Sequence, residues 1–122
     1  MEIKVYITGK ISGLEESEYL PLFAEAAEFL KKQGFVPVNP LEVLPECGES
    51  CESGLAFPDG RYMHTWQCYM KADIKALMDC EGIFPLENAS DSNGAKIEMQ
   101  LAEQVGIRLV TRMGKLLVWS TK

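Results

Sequence analysis

The sequence predicts a small α/β domain, a doubly wound parallel sheet of four to five strands with helices on both faces, in a three-layer flavodoxin-like or Rossmann-like arrangement. Three observations predict it. Short apolar runs alternate strictly with longer segments of helical periodicity. Glycine or proline marks the ends of these segments. A chain of 122 residues, 47% hydrophobic and 25% charged, suits one compact domain over residues 1–122.

Residues 3 to 8, IKVYIT, form a buried first strand that ends in the glycine-containing loop GKISG. Residues 18 to 33 carry Leu22, Phe23, Ala26, Ala27, Phe29 and Leu30 at helical spacing and stop at Gly34. FVPVNP reads as a second strand closed by Pro40. Residues 41 to 64 show no periodicity and read as a long loop, and a loop of that length in a compact domain is usually functional or disordered. A second helix, TWQCYMKADIKALM, leads into a third strand, CEGIFPL, and the loop ENASDSNG. A third helix ends near Gly106, IRLVT follows as a fourth strand, and residues 112 to 122 make a fifth strand or a tail. In a sheet wound this way ligands bind beyond the carboxyl ends of the strands, so the loops at 9 to 13, 39 to 64 and 86 to 93 define the functional edge.

The net charge of −6 and pI near 4.8 argue against a nucleic-acid polymer or an anionic membrane as partner, since both need a basic face. A small anion remains compatible with them. No run of 18 apolar residues is present and the amino terminus reads as a strand, so the expected location is cytoplasmic. Cys47, Cys51, Cys68 and Cys80 are expected as thiols. Cys47, Cys51, His64 and Cys68 also echo a zinc pattern, but off the common spacings, and loop thiols are the simpler reading.

Two acids sit where apolar residues belong. On the third helix Ile97, Leu101, Gly94, Val105, Ala102, Ala95 and Met99 fill one arc at 100° per residue, and Glu98 falls inside it. On the second helix Asp73 lies between Tyr69 and Leu77 on the apolar side. A carboxylate in apolar surroundings shifts its pKa or finds a partner. Either acid alone fits a satisfied structural group, bonded to a tyrosine or a backbone amide. Both together, on helices flanking one strand, fit the acid pair of glycosidic-bond chemistry, in which one carboxylate attacks the anomeric carbon and the other protonates the leaving group. Tyr6, on the first strand, can fix a carboxylate in one rotamer or simply fill core.

Ser92, Asn93 and Gly94 open the third helix and suit an anion or an ordinary N-cap. Gly9, Lys10, Ile11, Ser12 and Gly13 lie at the same edge and offer a cation and further amides, without a Walker motif. Trp66, Tyr69 and Phe84 are candidates to stack on a base, and equally ordinary core.

Taken in order, VYITGKISG, WxxYMKADIKAL, CEGIFPL and SNGAKIEMQLAEQVG resemble the nucleoside 2-deoxyribosyltransferase superfamily over nearly the whole chain to about residue 111. The likeness is nearest to its short microbial and phage members and more distant to the 2′-deoxynucleoside 5′-phosphate N-hydrolases. The resemblance implies Glu98 as nucleophile at C1′ of the deoxyribose, Asp73 as the acid assisting at the base, and Tyr6 as the residue orienting the nucleophile. It also implies that Ser92 binds a 5′-phosphate. The chain departs from the hydrolases at Ser12, where they carry arginine, and from the short relatives at Lys10, where proline is common; Lys10 or Arg61 can substitute as the cation. Transferases tend to have an acid where Ser92 stands, which favours a nucleotide over a free nucleoside. The implied activity is cleavage of an N-glycosidic bond with hydrolysis or base exchange, without metal or organic cofactor. The alternative is a nucleotide-binding module of the same fold. The resemblance further implies a homo-oligomer, a dimer or larger, to which the apolar tail Leu116, Leu117, Val118 and Trp119 can contribute.

Overall fold

The computed structural model describes residues 2–45, 65–114 and 116–119. The chain runs β1 (Lys4–Thr8), α1 (Glu16–Lys32), β2 (Val36–Val38), α2 (Trp66–Met78), β3 (Gly82–Pro85), α3 (Asn93–Val105), β4 (Arg108–Met113) and β5 (Leu116–Trp119). Single 3-10 turns at Pro40–Glu42 and Ala89–Asp91 follow β2 and β3. The five strands form one sheet in the order β2-β1-β3-β4-β5. The first four are parallel, as the alternation predicts, and β5 pairs antiparallel with β4. The Gly114 turn, with φ of 61°, is too short for a crossover, so the last strand folds back as a hairpin.

Pleating sends alternate residues of β1 to opposite faces, and each face meets different helices. Val5 and Ile7, with Phe84 and Val110, pack against Phe23, Ala26 and Leu30 of α1. Tyr6 and Ile83 pack with Leu77 of α2 and Ala102 of α3. The three layers are therefore α1, the sheet, and α2 with α3. α1 begins at Glu16, two residues earlier than the periodicity predicts, and tolerates Pro21, whose missing N–H leaves one turn of the ladder open.

One helix cannot cover five strands, and side chains finish the α1 face. The Trp119 ring reaches back across the sheet to meet Phe35 edge-on, with ring centroids 5.5 Å apart. Gly82 makes this possible, because a Cβ there would lie 2.8 Å from Trp119 Cζ3 and 2.9 Å from Val110 Cγ2. Arg112 adds a tie at the same layer, its guanidinium 4.2 Å from the Phe29 ring centre and 2.8 Å from Glu25. Leu117 and Trp119, partly buried, pack against the core of their own chain, and Val118 is exposed. Among the described residues no helix is long and apolar enough to cross a membrane.

The buried face of α3 differs from the predicted arc. The buried stripe is Ala95, Glu98 and Ala102, while Ile97 and Val105 are 40% and 52% exposed. Large strand side chains such as Tyr6 and Ile83 fill the interlayer space, so α3 turns its small residues inward and its branched ones out. Glu98 is therefore at the centre of the inner stripe, deeper than the arc predicts.

Candidate active site

The strand order reverses between β1 and β3: from β1 the chain goes to β2 on one side and returns to β3 on the other. A crevice at the carboxyl ends of those two strands is the usual ligand site of such a sheet. The loops after β1 and β3 are joined there. The Leu86 N–H donates to the Thr8 carbonyl at 2.8 Å, and the Lys10 N–H donates to Asn88 Oδ1 at 3.0 Å. Gly9 lets the loops touch, since a Cβ would lie 2.6 Å from Leu86 Cδ1.

Glu98 points from α3 onto the carboxyl half of β1 and is 5% exposed. Tyr6 donates its hydroxyl to Glu98 Oε2 at 2.7 Å, and Thr8 donates to Oε1 at 2.7 Å. Tyr6 and Thr8 are two apart on one strand and so share the face turned to α3. Burial raises the Glu98 pKa, and the two hydroxyl donors oppose that rise. Tyr6 titrates far above an ordinary phenol because of burial first and then the charges of Glu98 and Asp73, so it stays a donor. Thr8 is fully buried, and its role escapes periodicity and motif reading alike. The available signal was a hydroxyl residue in a strand otherwise read as core, two positions after the tyrosine.

Asp73 comes from α2. Its carboxyl is pushed up to about 7, by burial first and then by the charge of Glu98. Trp66, Met70, Asp73 and Leu77 recur at helical spacing along one stripe of α2, from exposed Trp66 at the carboxyl edge to fully buried Leu77. That stripe faces the first turn of α3: Met70 Sδ lies 3.3 Å from where Gly94 would carry a Cβ. The fold thus brings Tyr6, Asp73 and Glu98 together, and places Trp66 at the rim, 49% exposed.

The remaining sequence candidates fall as follows. Ser92 is the N-cap of α3, its hydroxyl oxygen accepting the Ala95 N–H at 3.2 Å, which leaves its proton available to a ligand. Asn93 and Gly94 supply the next amides of that helix start. Ser12 and Gly13 are exposed in the loop after β1, and Ile11 packs toward the α1 core. Phe84 cannot stack on anything bound near Glu98, since it is buried on the other face of the sheet, 6.1 Å from the Phe29 ring centre. Tyr69 is 44% exposed. Cys47, Cys51, Arg61 and His64 lie outside the described residues, as does most of the long loop. Among the described residues no group of three or more His, Cys, Asp and Glu is placed to hold a metal.

Two grooves bounded by described residues lie elsewhere. One of about 430 Å³ runs between Val43, Leu44 and Pro45 and the outer side of α2 at Lys71 and Lys75. Another of about 700 Å³ lies at the amino edge of the sheet, between Ile3, Glu81, Arg108 and Trp119. Neither holds an acid pair, so chemistry rather than volume places the candidate site at the carboxyl edge.

Two carboxyls in different environments are the arrangement that can divide acid from base work. Glu98 accepts two hydroxyl donors that favour its charged form against burial, and the Asp73 carboxyl is pushed up to about 7. No curated protein and no solved structure matches the chain. Residues 3–111, which include Tyr6, Thr8, Asp73 and Glu98, match the family model described as Domain of unknown function (DUF4406), and the chain belongs to that family.

Proposed function

We propose that this protein cleaves the N-glycosidic bond of a 2′-deoxynucleoside or its 5′-monophosphate through a covalent intermediate on Glu98. The observation that carries the reading is the pair itself: a buried glutamate fixed by Tyr6 and Thr8, beside an aspartate whose pKa is lifted to about 7. In the first half-reaction a Glu98 oxygen forms a bond to C1′ as the C1′–N bond breaks. Its electron pair leaves with the base, which takes the Asp73 proton. In the second half, water or another base attacks C1′, Glu98 leaves as carboxylate, and Asp73 accepts the proton.

Tyr6 and Thr8 orient the nucleophile, and Trp66 at the rim supplies an aromatic face for the base. The α3 start, with the Ser92 hydroxyl and the Asn93 and Gly94 amides, suits a 5′-phosphate, and Lys10 of the loop after β1 supplies a cation. The alternative is a binding module that holds the nucleotide without turnover.

Incubation with each free 2′-deoxynucleoside and each 5′-monophosphate tests the reading by release of free base. Release is expected from at least one compound and is expected to vanish in Glu98→Ala, with the circular dichroism spectrum preserved. If none loses its base at high enzyme concentration while one raises the melting temperature, the binding module stands instead.

A further inference from the structure

The two hydroxyls on Glu98 occupy different places. Tyr6 lies two residues, about 7 Å, deeper in β1, whereas Thr8 is the last residue of the strand, at its carboxyl end. The Glu98 oxygen that Thr8 holds, Oε1, is therefore the one nearer the carboxyl edge of the sheet, where ligands of such sheets bind. Thr8 cannot swing away: its side chain is fully buried and its carbonyl is pinned by the Leu86 N–H at 2.8 Å. Its donor is fixed in place before any ligand arrives.

A hydroxyl donates far more strongly to a carboxylate than to an ester oxygen. In the proposed reaction Glu98 is a carboxylate in the free enzyme and an ester in the glycosyl-enzyme. A preset donor on Oε1 therefore favours the states on either side of the intermediate over the intermediate itself. It moderates attack on C1′ and promotes departure of Glu98.

Resting on the reading above, we propose that Thr8 is a positioning residue for the second half-reaction, which makes Glu98 a good enough leaving group for the glycosyl-enzyme to turn over. As water attacks C1′, the C1′–Oε1 bond breaks, its electron pair returns to Oε1, and the Thr8 hydroxyl meets the charge that forms there. The proton of the attacking water passes to Asp73, restoring the starting state. Tyr6 on Oε2 acts in the same direction but more weakly, because Oε2 becomes the ester carbonyl oxygen, which remains the better acceptor of the two.

The test uses Thr8→Val, which keeps the shape and removes the donor, and Thr8→Ser, which keeps the donor. The substrate is whichever deoxynucleoside or monophosphate the wild type cleaves fastest, and acid-quenched samples are read by intact-protein mass spectrometry. T8V is expected to slow breakdown about tenfold or more, from the strength of a hydrogen bond to a charged group, and to accumulate glycosyl-enzyme at steady state. T8S is expected to return adduct and rate toward the wild type. The Glu98 carboxyl, followed by carbon-13 NMR, is expected to titrate about one unit or more higher in T8V.

If T8V turns over with the wild-type adduct fraction, or forms no adduct and releases no base while the wild type does both, this assignment is overturned and the parent reading survives. If the wild type itself forms no adduct and releases no base, both fall. Should T8V not fold, Thr8→Cys, whose thiol is a poor donor, takes its place.

Discussion

Replacing Asp73 with asparagine should make the protein more stable above neutral pH, by an amount that depends on pH in a defined direction. Its carboxyl moves from 3.8 to about 7 on folding, so the folded state binds the proton more tightly than the unfolded chain. Stability is therefore greatest where both states are protonated, falls as pH rises through the window from about 4 to about 7, and is flat above it. Three units correspond to about 4 kcal/mol, and water reaching this half-buried carboxyl reduces that to about 2 kcal/mol. Asparagine keeps the shape and has no charge to bury. Urea unfolding of wild type and D73N, compared near pH 4 and near pH 8, should show little difference at the lower pH and about 2 kcal/mol in favour of D73N at the higher one. In thermal melts the same gap is roughly 8 °C for a chain of this size. A D73N protein less stable than the wild type near pH 8, or a difference independent of pH, would refute the view that Asp73 is held in its site at a cost to folding.

Further outcomes follow from the same geometry. Tyr6→Phe should destabilise by about 1.5–3 kcal/mol in denaturant titrations, since it leaves Glu98 Oε2 buried without its donor. Gly82→Ala should cost about 1–3 kcal/mol by urea unfolding, because the new Cβ would meet the Trp119 ring and Val110 at under 3 Å. If the proposed reaction holds, the rate of base release should fall as pH rises through about 7, where Asp73 loses the proton assigned to the leaving base, and D73N should lose that alkaline limb along with most of its activity. Trp66→Ala should raise KM with the fold intact, as expected for an exposed rim aromatic.

The parallel sheet was legible because it rests on local signals: apolar runs, helical spacing and the glycines that end them. The Trp119 ring over Gly82 was not, since it depends on a contact between residues far apart in sequence that no period encodes; the β4–β5 hairpin is local, turned at Gly114, but its four-residue last strand is too short for a periodic signal to tell from a tail. The anomaly at Glu98 was visible as a charge among apolar positions. Its arc was misplaced because helical arithmetic ranks residues by hydrophobicity, whereas the sheet selected the small ones, Ala95 and Ala102. Asp73 and Tyr6 were found by the same reasoning and by motif. Thr8 was missed because a threonine in a strand has an ordinary explanation, and only the facing helix shows that its hydroxyl meets a carboxylate. Phe84 failed as a stacking candidate for a reason of parity: one residue along a strand changes the face.

The central claim is that Glu98 forms a covalent bond to a sugar carbon, and peptide mapping by mass spectrometry after acid quench tests it most directly. With a compound from which base is released, the account predicts a deoxyribosyl adduct, with its 5′-phosphate where the substrate carries one, on the peptide that contains Glu98. That adduct should be absent from Glu98→Gln, which should also release no base. Base release that persists in Glu98→Gln, or an adduct carried by another residue, would contradict it.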